Sequence, residues 1–172
     1  KNKSGGTVVY CAKALARGVP AFAGKLIIAV NDPRELGARF STRCESAVIM
    51  CDDFIGTGQT AIKALSHYQE VLKSDDDSLA LLSLVVQEEG KLRILEYLGG
   101  EPLFYYSALR MKGISDSDRI ERDQAKAMML AIEERLGVRK KMRLGYGQSE
   151  ALVSMIRTPN NTFPIYWKDA KA

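Results

Sequence analysis

The stretch AVIMCDDFIGTGQTA, residues 47–61, joins an apolar run to two adjacent carboxylates and then to a turn built mainly from glycine and threonine. The apolar run predicts a buried strand over residues 46–51. Apolar side chains recur at helical spacing after the turn, which predicts a helix over residues 58–74. Asp52 and Asp53 are therefore expected at the exposed carboxyl end of a strand, directly before a turn that opens a helix.

Helices and strands alternate along the rest of the chain. Further helices are predicted over residues 6–18, 89–100 and 115–137, further strands over residues 25–30, 78–87 and 102–109, and short strands mixed with turns after residue 143. The helix over residues 115–137 is expected to begin at Ser and Asp caps and to present a solvated charged face. Strands that alternate with helices predict an α/β fold, doubly wound around a mostly parallel sheet.

The composition fits a single globular domain that binds a small ligand. The chain has 172 residues, of which 46% are apolar and 27% charged, which is enough for one sizeable core. The net charge of +4 comes from Lys and Arg spread along the chain, whereas nucleic-acid binders concentrate basic residues on one face. A small anionic ligand is therefore expected, without direct nucleic-acid binding.

Targeting signals and cysteine usage both predict a cytoplasmic protein. No apolar run reaches the roughly 18 residues of a membrane span, and no signal peptide is visible. The three cysteines form no C-x-x-C pair, so free thiols in a reducing compartment are expected. His67 is the only histidine, which disfavours a Cys/His metal site and a Ser-His-Asp or Cys-His catalytic pair.

The chemistry of the opening stretch matches a ribose phosphate. In parallel sheets ligands bind beyond the carboxyl ends of the strands. There Asp52 and Asp53 can accept hydrogen bonds from two vicinal ribose hydroxyls. The turn that follows offers free backbone N–H groups and the positive end of a helix dipole to a phosphate. The residues expected to bind that phosphate are Gly56, Thr57, Gly58, Gln59 and Thr60.

Turns with two glycines also occur in three other structures. A Walker loop is excluded because no Lys follows the second glycine. A dinucleotide-binding loop is disfavoured because the acidic pair precedes the glycines. A tight turn that merely caps a helix remains a structural alternative.

The segment VIMCDDFIGTGQT, residues 48–60, resembles the signature of the type I phosphoribosyltransferases. This resemblance implies a phosphoribosyl pyrophosphate site with magnesium, and transfer of ribose 5-phosphate to a nitrogen base or the reverse release. Asp52 and Asp53 would be the catalytic pair that holds the ribose and reaches the metal indirectly. The resemblance also implies one domain over residues 1–172, with residues 143–172 as a small C-terminal hood, and a first strand upstream of Lys1.

The resemblance further implies a pyrophosphate-binding loop before the first helix. The segment NKSGGT, residues 2–7, has the composition of an anion-binding nest. Its proposed contacts are Lys3, Ser4, Gly5 and Gly6, joined by Arg39 from a loop before the signature strand that also carries Arg34 and Arg43. A flexible chain end and solvated arginines are the alternatives.

The C-terminal segment GYGQSEALVSMIRTPNNTFPIYW, residues 145–167, offers candidates for base binding. Tyr146, between two glycines, could stack on a base, and Asn160 with Asn161 could hydrogen-bond a base edge, although both amides also suit a turn. The other aromatic residues considered, Tyr105, Tyr106 and Trp167, are assigned to the core. The segment is similar to a divergent bacterial phosphoribosyltransferase-like group connected with defence operons, such as those built around reverse transcriptases. This similarity implies a protein partner in a defence complex.

Gly56 departs from the purine-salvage members of the resembled family, which carry an aspartate there that can act as a base. Glycine cannot move a proton, so efficient purine salvage is not expected, and Glu150 and Glu35 are the candidate replacement bases. Two functions remain open. One is an enzyme that transfers or releases ribose 5-phosphate, and the other is a non-catalytic module that senses a nucleotide and signals to a partner.

Overall fold

The computed structural model describes residues 5–30, 35, 47–71, 78–99, 103–155 and 158–168. The helices are α1 (Gly5–Ala16), α2 (Gln59–Val71), α3 (Glu88–Leu98) and α4 (Arg122–Arg135), and the strands are β1 (Ala47–Ile55), β2 (Ser78–Gln87) and β3 (Leu103–Arg110). Short 3-10 turns cover Pro20–Phe22, Lys140–Met142, Tyr146–Gln148 and Pro164–Tyr166. None of the helices in these ranges has the length and apolar character needed to cross a membrane.

The three described strands form one parallel sheet in the order β1-β2-β3. Residues Met50, Leu81 and Phe104 lie side by side across it. Because α2 connects β1 to β2 and α3 connects β2 to β3, the carboxyl ends of all three strands lie at one edge. The expected α/β fold with a parallel sheet and flanking helices is confirmed.

Helices α2 and α3 cover one face of the sheet with the main core. This core contains Met50, Ile55, Ala61, Leu65, Leu81, Val86 and Ile94. On α2, Ala61 and Leu65 are four residues apart and therefore lie on the same helix face. Full burial of a side chain such as Leu65, which is 0% exposed, stabilises the fold by about 1.5–3 kcal/mol.

The C-terminal segment packs on the other side of the same strand ends. In β1, Phe54 precedes the main-core residue Ile55, and in β2, Val85 precedes the main-core residue Val86. Phe54 and Val85 belong to a second cluster with Ala151 and Val153. Successive side chains of a strand point to opposite faces, so both faces of the sheet are covered at this edge. We call the described residues between 143 and 168 the hood, because part of this segment packs over the carboxyl ends of the strands.

Four expectations about local structure and burial are wrong. Residues 25–30 form no regular secondary structure, and Leu26 is 85% exposed, because no strand in the described ranges pairs with this apolar run. The hood consists of 3-10 turns with one isolated bridge, between Ala151 and Thr162, and the expected short strands are absent from its described residues. Tyr105, assigned to the core, is 58% exposed. The charged face of the helix over residues 115–137 is not solvated throughout, since its residue Glu133 is fully buried.

The long helix begins later than its sequence indicates. Ser115 donates its hydroxyl to Glu150 at 2.7 Å, and Asp116 accepts the backbone N–H of Lys112 at 2.8 Å. These side chains are therefore engaged in a turn, and α4 starts only at Arg122.

Candidate functional site

The acidic pair lies inside β1, which continues to Ile55. The expectation that the strand ends at Cys51 and leaves both carboxylates at an exposed end is therefore wrong. Asp52 and Asp53 are both partly buried, and Asp52 Oδ1 accepts the backbone N–H of Asp53 at 2.9 Å. Burial raises the pKa of the Asp52 carboxyl from its usual 3.8 to about 7, and the hydrogen bond and negative charge of the Asp53 carboxyl act in the same direction.

A cavity of about 190 Å³ opens beside Asp52. It is lined by Asp52, Phe54, Ile55, Gly56, Thr57, Gly58, Thr60, Ala61, Tyr146, Asn160 and Asn161. The structure therefore brings together one member of the acidic pair, most of the expected phosphate-binding residues and all three expected base-binding residues. Asp53 and the exposed Gln59 are not part of this lining.

The phosphate turn, residues 56–60, connects β1 to the first turn of α2. Gly58 has a φ of 77°, a conformation that glycine adopts at little cost, and its carbonyl accepts the N–H of Ile62 at 2.9 Å. The preceding N–H groups at the start of α2 have no partner within the helix. They form the kind of helix terminus that binds phosphate.

The start of α3 supports the phosphate turn from behind. Arg93 Nη1 donates to the carbonyl of Thr57 at 2.8 Å, and Arg93 Nη2 pairs with Glu89 at 3.1 Å. Gly90 faces Gly56, and a Cβ at Gly90 would collide with the Gly56 carbonyl. Sequence reasoning missed both Gly90 and Arg93. They lie just after β2, so the rule that sites form beyond strand ends could have pointed to them.

The hood places Tyr146, Asn160 and Asn161 side by side. The N–H of Tyr146 donates to the carbonyl of Asn160 at 2.9 Å, and Asn161 Nδ2 donates to the carbonyl of Tyr146 at 3.3 Å. A Cβ at Gly56 would lie 2.6 Å from Asn161 Nδ2, so Gly56 leaves the room that this amide occupies. That role of Gly56 has no signal in the local sequence. Base binding by these three residues remains a prediction.

Two buried glutamates anchor the hood. Glu150 accepts hydrogen bonds from the N–H groups of Ile114 and Ser115 at 3.1 and 2.6 Å, and pairs with Lys126 at 3.2 Å. Burial alone would raise the pKa of Glu150, but hydrogen bonds from Ser115 and Ile114 and the contact with Lys126 outweigh it and lower the pKa. A carboxylate held in this way is a poor proton acceptor, so Glu150 does not suit the role of general base.

Glu133 anchors the same turn from α4. Its Oε2 accepts the N–H of Leu144 at 2.8 Å, and its Oε1 has no hydrogen-bond partner among the described residues. Burial raises the pKa of Glu133, although the Leu144 N–H and the charge of Arg143 act against that shift. Leu144 and Glu150 have φ values of 58° and 50°. Such conformations are uncommon outside glycine, so the hood turn persists because its surroundings fix it.

Only part of the expected pyrophosphate site falls within the described structure. Helix α1 begins at Gly5, so Gly5 and Gly6 belong to its first turn and not to a preceding loop. The other expected contacts lie outside the described residues, namely Lys3, Ser4 and Arg39, as do Arg34 and Arg43. The described ranges contain no cluster of three or more His, Cys, Asp or Glu side chains that could hold a metal ion.

Comparison with known families identifies the family of the chain. The family model PRTase-CE matches residues 3–172. The chain belongs to the PRTase-CE family. This is a phosphoribosyltransferase-type family, which confirms the resemblance seen in the sequence. The PRTase-CE match spans the acidic pair, the phosphate turn and the hood together, well beyond the short signature. No curated protein and no solved structure matches the chain significantly.

Proposed function

We propose that this PRTase-CE protein binds phosphoribosyl pyrophosphate or a nucleotide and transfers or releases ribose 5-phosphate. The observation that carries the proposal is the cavity in which Asp52, the phosphate turn and the hood residues converge. Its volume of about 190 Å³ is below the range of roughly 300–1,000 Å³ typical of drug-sized ligands, which favours a sugar phosphate at its centre.

The cavity, together with Asp53 next to its lining residue Asp52, supplies the elements of sugar-phosphate recognition. The N–H groups of residues 56–60 and the dipole of α2 bind the 5-phosphate. Asp52 and Asp53, when ionised, accept the ribose hydroxyls, and a hydrogen bond to a charged group is worth about 1.5–3 kcal/mol. The anomeric C–O or C–N bond then breaks with its electron pair on the leaving group, and the two carboxylates hold the oxocarbenium-like ribose in place. A base nitrogen, or in the reverse reaction a pyrophosphate oxygen, donates the electron pair of the new bond to the anomeric carbon.

Magnesium fits the acidic pair as a cofactor that is shared with the ligand. Mg²⁺ is usually held by one or two carboxylates together with substrate phosphates and water. The negative charge of the Asp53 carboxyl helps to raise the pKa of Asp52, and a cation beside the two carboxylates would relieve this repulsion. When bound, the ion would neutralise charge on the pyrophosphate. Lys3, Ser4, Gly5, Gly6 and Arg39 are proposed to contribute from the protein side.

The hood is proposed to hold the base. Tyr146 is 39% exposed and lines the cavity, so its ring can stack on a planar ligand. The amides of Asn160 and Asn161 can hydrogen-bond a base edge. The side-chain amide of Asn is neither an acid nor a base at neutral pH, so this wall can select a nucleobase but cannot remove its proton.

A second candidate function is a non-catalytic nucleotide sensor that acts with a protein partner in a bacterial defence complex in the cytoplasm. Two observations favour it. Asp52 is the only carboxylate in the described lining of the cavity, and Glu150 is consumed by structural hydrogen bonds. A site without a general base can still bind a nucleotide and signal to a partner protein that the nucleotide is bound.

Calorimetry with phosphoribosyl pyrophosphate, with and without Mg²⁺, tests both candidates. The variant Asp52→Asn/Asp53→Asn should lose about 100-fold or more in affinity, since two charge-assisted hydrogen bonds disappear. Asp118→Asn/Asp123→Asn, which neutralises two exposed carboxylates, is the matched control. Pyrophosphate release on mixing identifies the enzyme, and binding without turnover identifies the sensor. Equal affinity of wild type and the Asp52/Asp53 variant would refute the ribose assignment.

A further inference from the structure

We propose that Gly90 and Arg93 of α3 are positioning residues that hold the phosphate turn in the shape that its N–H groups need to bind a phosphate ester. The inference rests on the proposed function for its ligand, but it concerns a separate element of the chain. Neither residue lines the cavity. Both contact the turn from its other side, at Thr57 and at the two glycines beside it.

Gly90 is where the backbones of α3 and the phosphate turn meet. A Cβ at this position would collide with the Gly56 carbonyl and would lie 3.1 Å from the Gly58 nitrogen. In the other direction, a Cβ at Gly58 would lie 2.9 Å from the Gly90 carbonyl. Glycine within a helix costs about 0.5–1 kcal/mol relative to alanine. The close approach of the two backbones explains why the third position of α3 is occupied by glycine, Gly90.

Arg93 fixes the orientation of one peptide group of the turn. Its Nη1 donates to the Thr57 carbonyl at 2.8 Å, and this carbonyl belongs to the peptide that links Thr57 to Gly58. In a planar trans peptide the C=O and N–H groups point in opposite directions. The contact therefore directs the Gly58 N–H away from the guanidinium, and it restrains the residue that opens α2.

Glu89 and Lys112 hold the guanidinium in this position. Glu89 Oε1 accepts from Arg93 Nη2 at 3.1 Å, and Glu89 Oε2 pairs with Lys112 Nζ at 2.8 Å. One carboxylate between two cations leaves one net positive charge behind the turn. Since a phosphate ester is an anion, this charge favours the ligand as well as the shape of its site.

The test compares Gly90→Ala, Arg93→Ala and Arg93→Lys with the wild type. Gly18→Ala and Arg135→Ala are matched controls, because a Cβ at Gly18 would meet only the Leu15 carbonyl, at an ordinary contact distance of 3.5 Å, and Arg135 is an exposed arginine on another helix. Two quantities are measured. Amide NMR shifts and hydrogen exchange of residues 56–61 report the shape of the turn in the free protein, and calorimetry gives the affinity for ribose 5-phosphate.

Gly90→Ala and Arg93→Ala are expected to shift the amide signals of the turn and speed their exchange, and to weaken ribose 5-phosphate binding about 10-fold or more, the loss that follows from one charge-assisted hydrogen bond. Arg93→Lys should recover part of the affinity, because it keeps the charge. The amide signals of Leu65 and Leu81 in the core should stay in place in all variants.

The readouts separate failure of the inference from failure of the proposed function. Arg93 is partly buried and does not belong to the main core, so Arg93→Ala is expected to fold. If it leaves both the turn signals and the affinity unchanged, the inference is overturned. If the wild type does not bind ribose 5-phosphate but the turn signals move in both variants, the proposed function falls while the structural role of Gly90 and Arg93 stands.

Discussion

Replacement of Asp52 by Asn should make the ligand-free protein more stable above neutral pH. The pKa of Asp52 is raised to about 7 in the folded protein, from its usual 3.8, first by burial and then by the Asp53 carboxyl. The charged form is therefore disfavoured by folding. The charged carboxylate of Asp52 does not destabilise the folded protein below the usual pKa of 3.8. The destabilisation grows as the pH rises and is complete above about pH 7. Asparagine carries no charge and can still accept the Asp53 N–H, so the variant escapes this cost.

The size of the effect follows from the shift. A pKa raised from 3.8 to about 7 corresponds to about 4 kcal/mol at most, at about 1.4 kcal/mol per pKa unit. Asp52 keeps some contact with water, so we expect the free energy of unfolding to increase by about 1–3 kcal/mol at high pH. Most substitutions destabilise a protein by about 0.5–3 kcal/mol. An increase of this size in the free energy of unfolding would therefore show that the charge of Asp52 destabilises the folded protein.

Urea denaturation of wild type and Asp52→Asn, at about pH 4.5 and about pH 8, measures this difference. The stabilisation should be small at the lower pH and largest at the higher one. Asp118→Asn, at an exposed position, is the control and should change stability little at either pH. A variant that is less stable than wild type at pH 8, or that differs by the same amount at both pH values, would refute the argument from burial.

Three further predictions concern the walls of the cavity and its chemistry. Gly56→Asp should displace the Asn161 amide, because a Cβ at position 56 would lie 2.6 Å from Asn161 Nδ2. Calorimetry should then show weaker binding of a nucleoside monophosphate and nearly unchanged binding of ribose 5-phosphate. Equal losses of affinity for the two ligands would contradict this prediction. Glu150→Gln should lower the free energy of unfolding by about 1–3 kcal/mol at neutral pH in urea denaturation, because buried N–H donors lose a charged acceptor, while the exposed control Glu134→Gln should not. With phosphoribosyl pyrophosphate and Mg²⁺, hypoxanthine and guanine should give negligible monophosphate, since a positioned base contributes about 10²–10⁴-fold; turnover near 1–10 per second, common for metabolic enzymes, would contradict this.

The sequence predicts the centre of the site well because its determinants are local. Strand, acidic pair, turn and helix follow one another within residues 47–61, and each is specified by its own periodicity or by glycine. The strand does run on to Ile55, past the expected end, because pairing with β2 continues beyond the acidic residues. A residue that is polar in sequence can still occupy a position in a strand when its neighbours pair.

What the sequence leaves out depends on contacts between distant segments. Ser115 looks like a helix cap, but its hydroxyl is bound by Glu150, 35 positions along the chain, so α4 starts later. Gly90 and Arg93 acquire their roles only when α3 is placed against the phosphate turn. Residues 25–30 have the composition of a strand, yet an apolar run becomes one only where a partner strand is available.

A crystal structure of the protein with phosphoribosyl pyrophosphate and Mg²⁺ tests the central claim most directly. We predict that the 5-phosphate lies on the N–H groups of residues 56–60, that the ribose hydroxyls bind Asp52 and Asp53, and that the anomeric carbon faces Tyr146 and the hood. A ligand bound at another place on the chain, or an ordered phosphate turn that stays empty at saturating ligand, would contradict the assignment of this cavity as a ribose phosphate site.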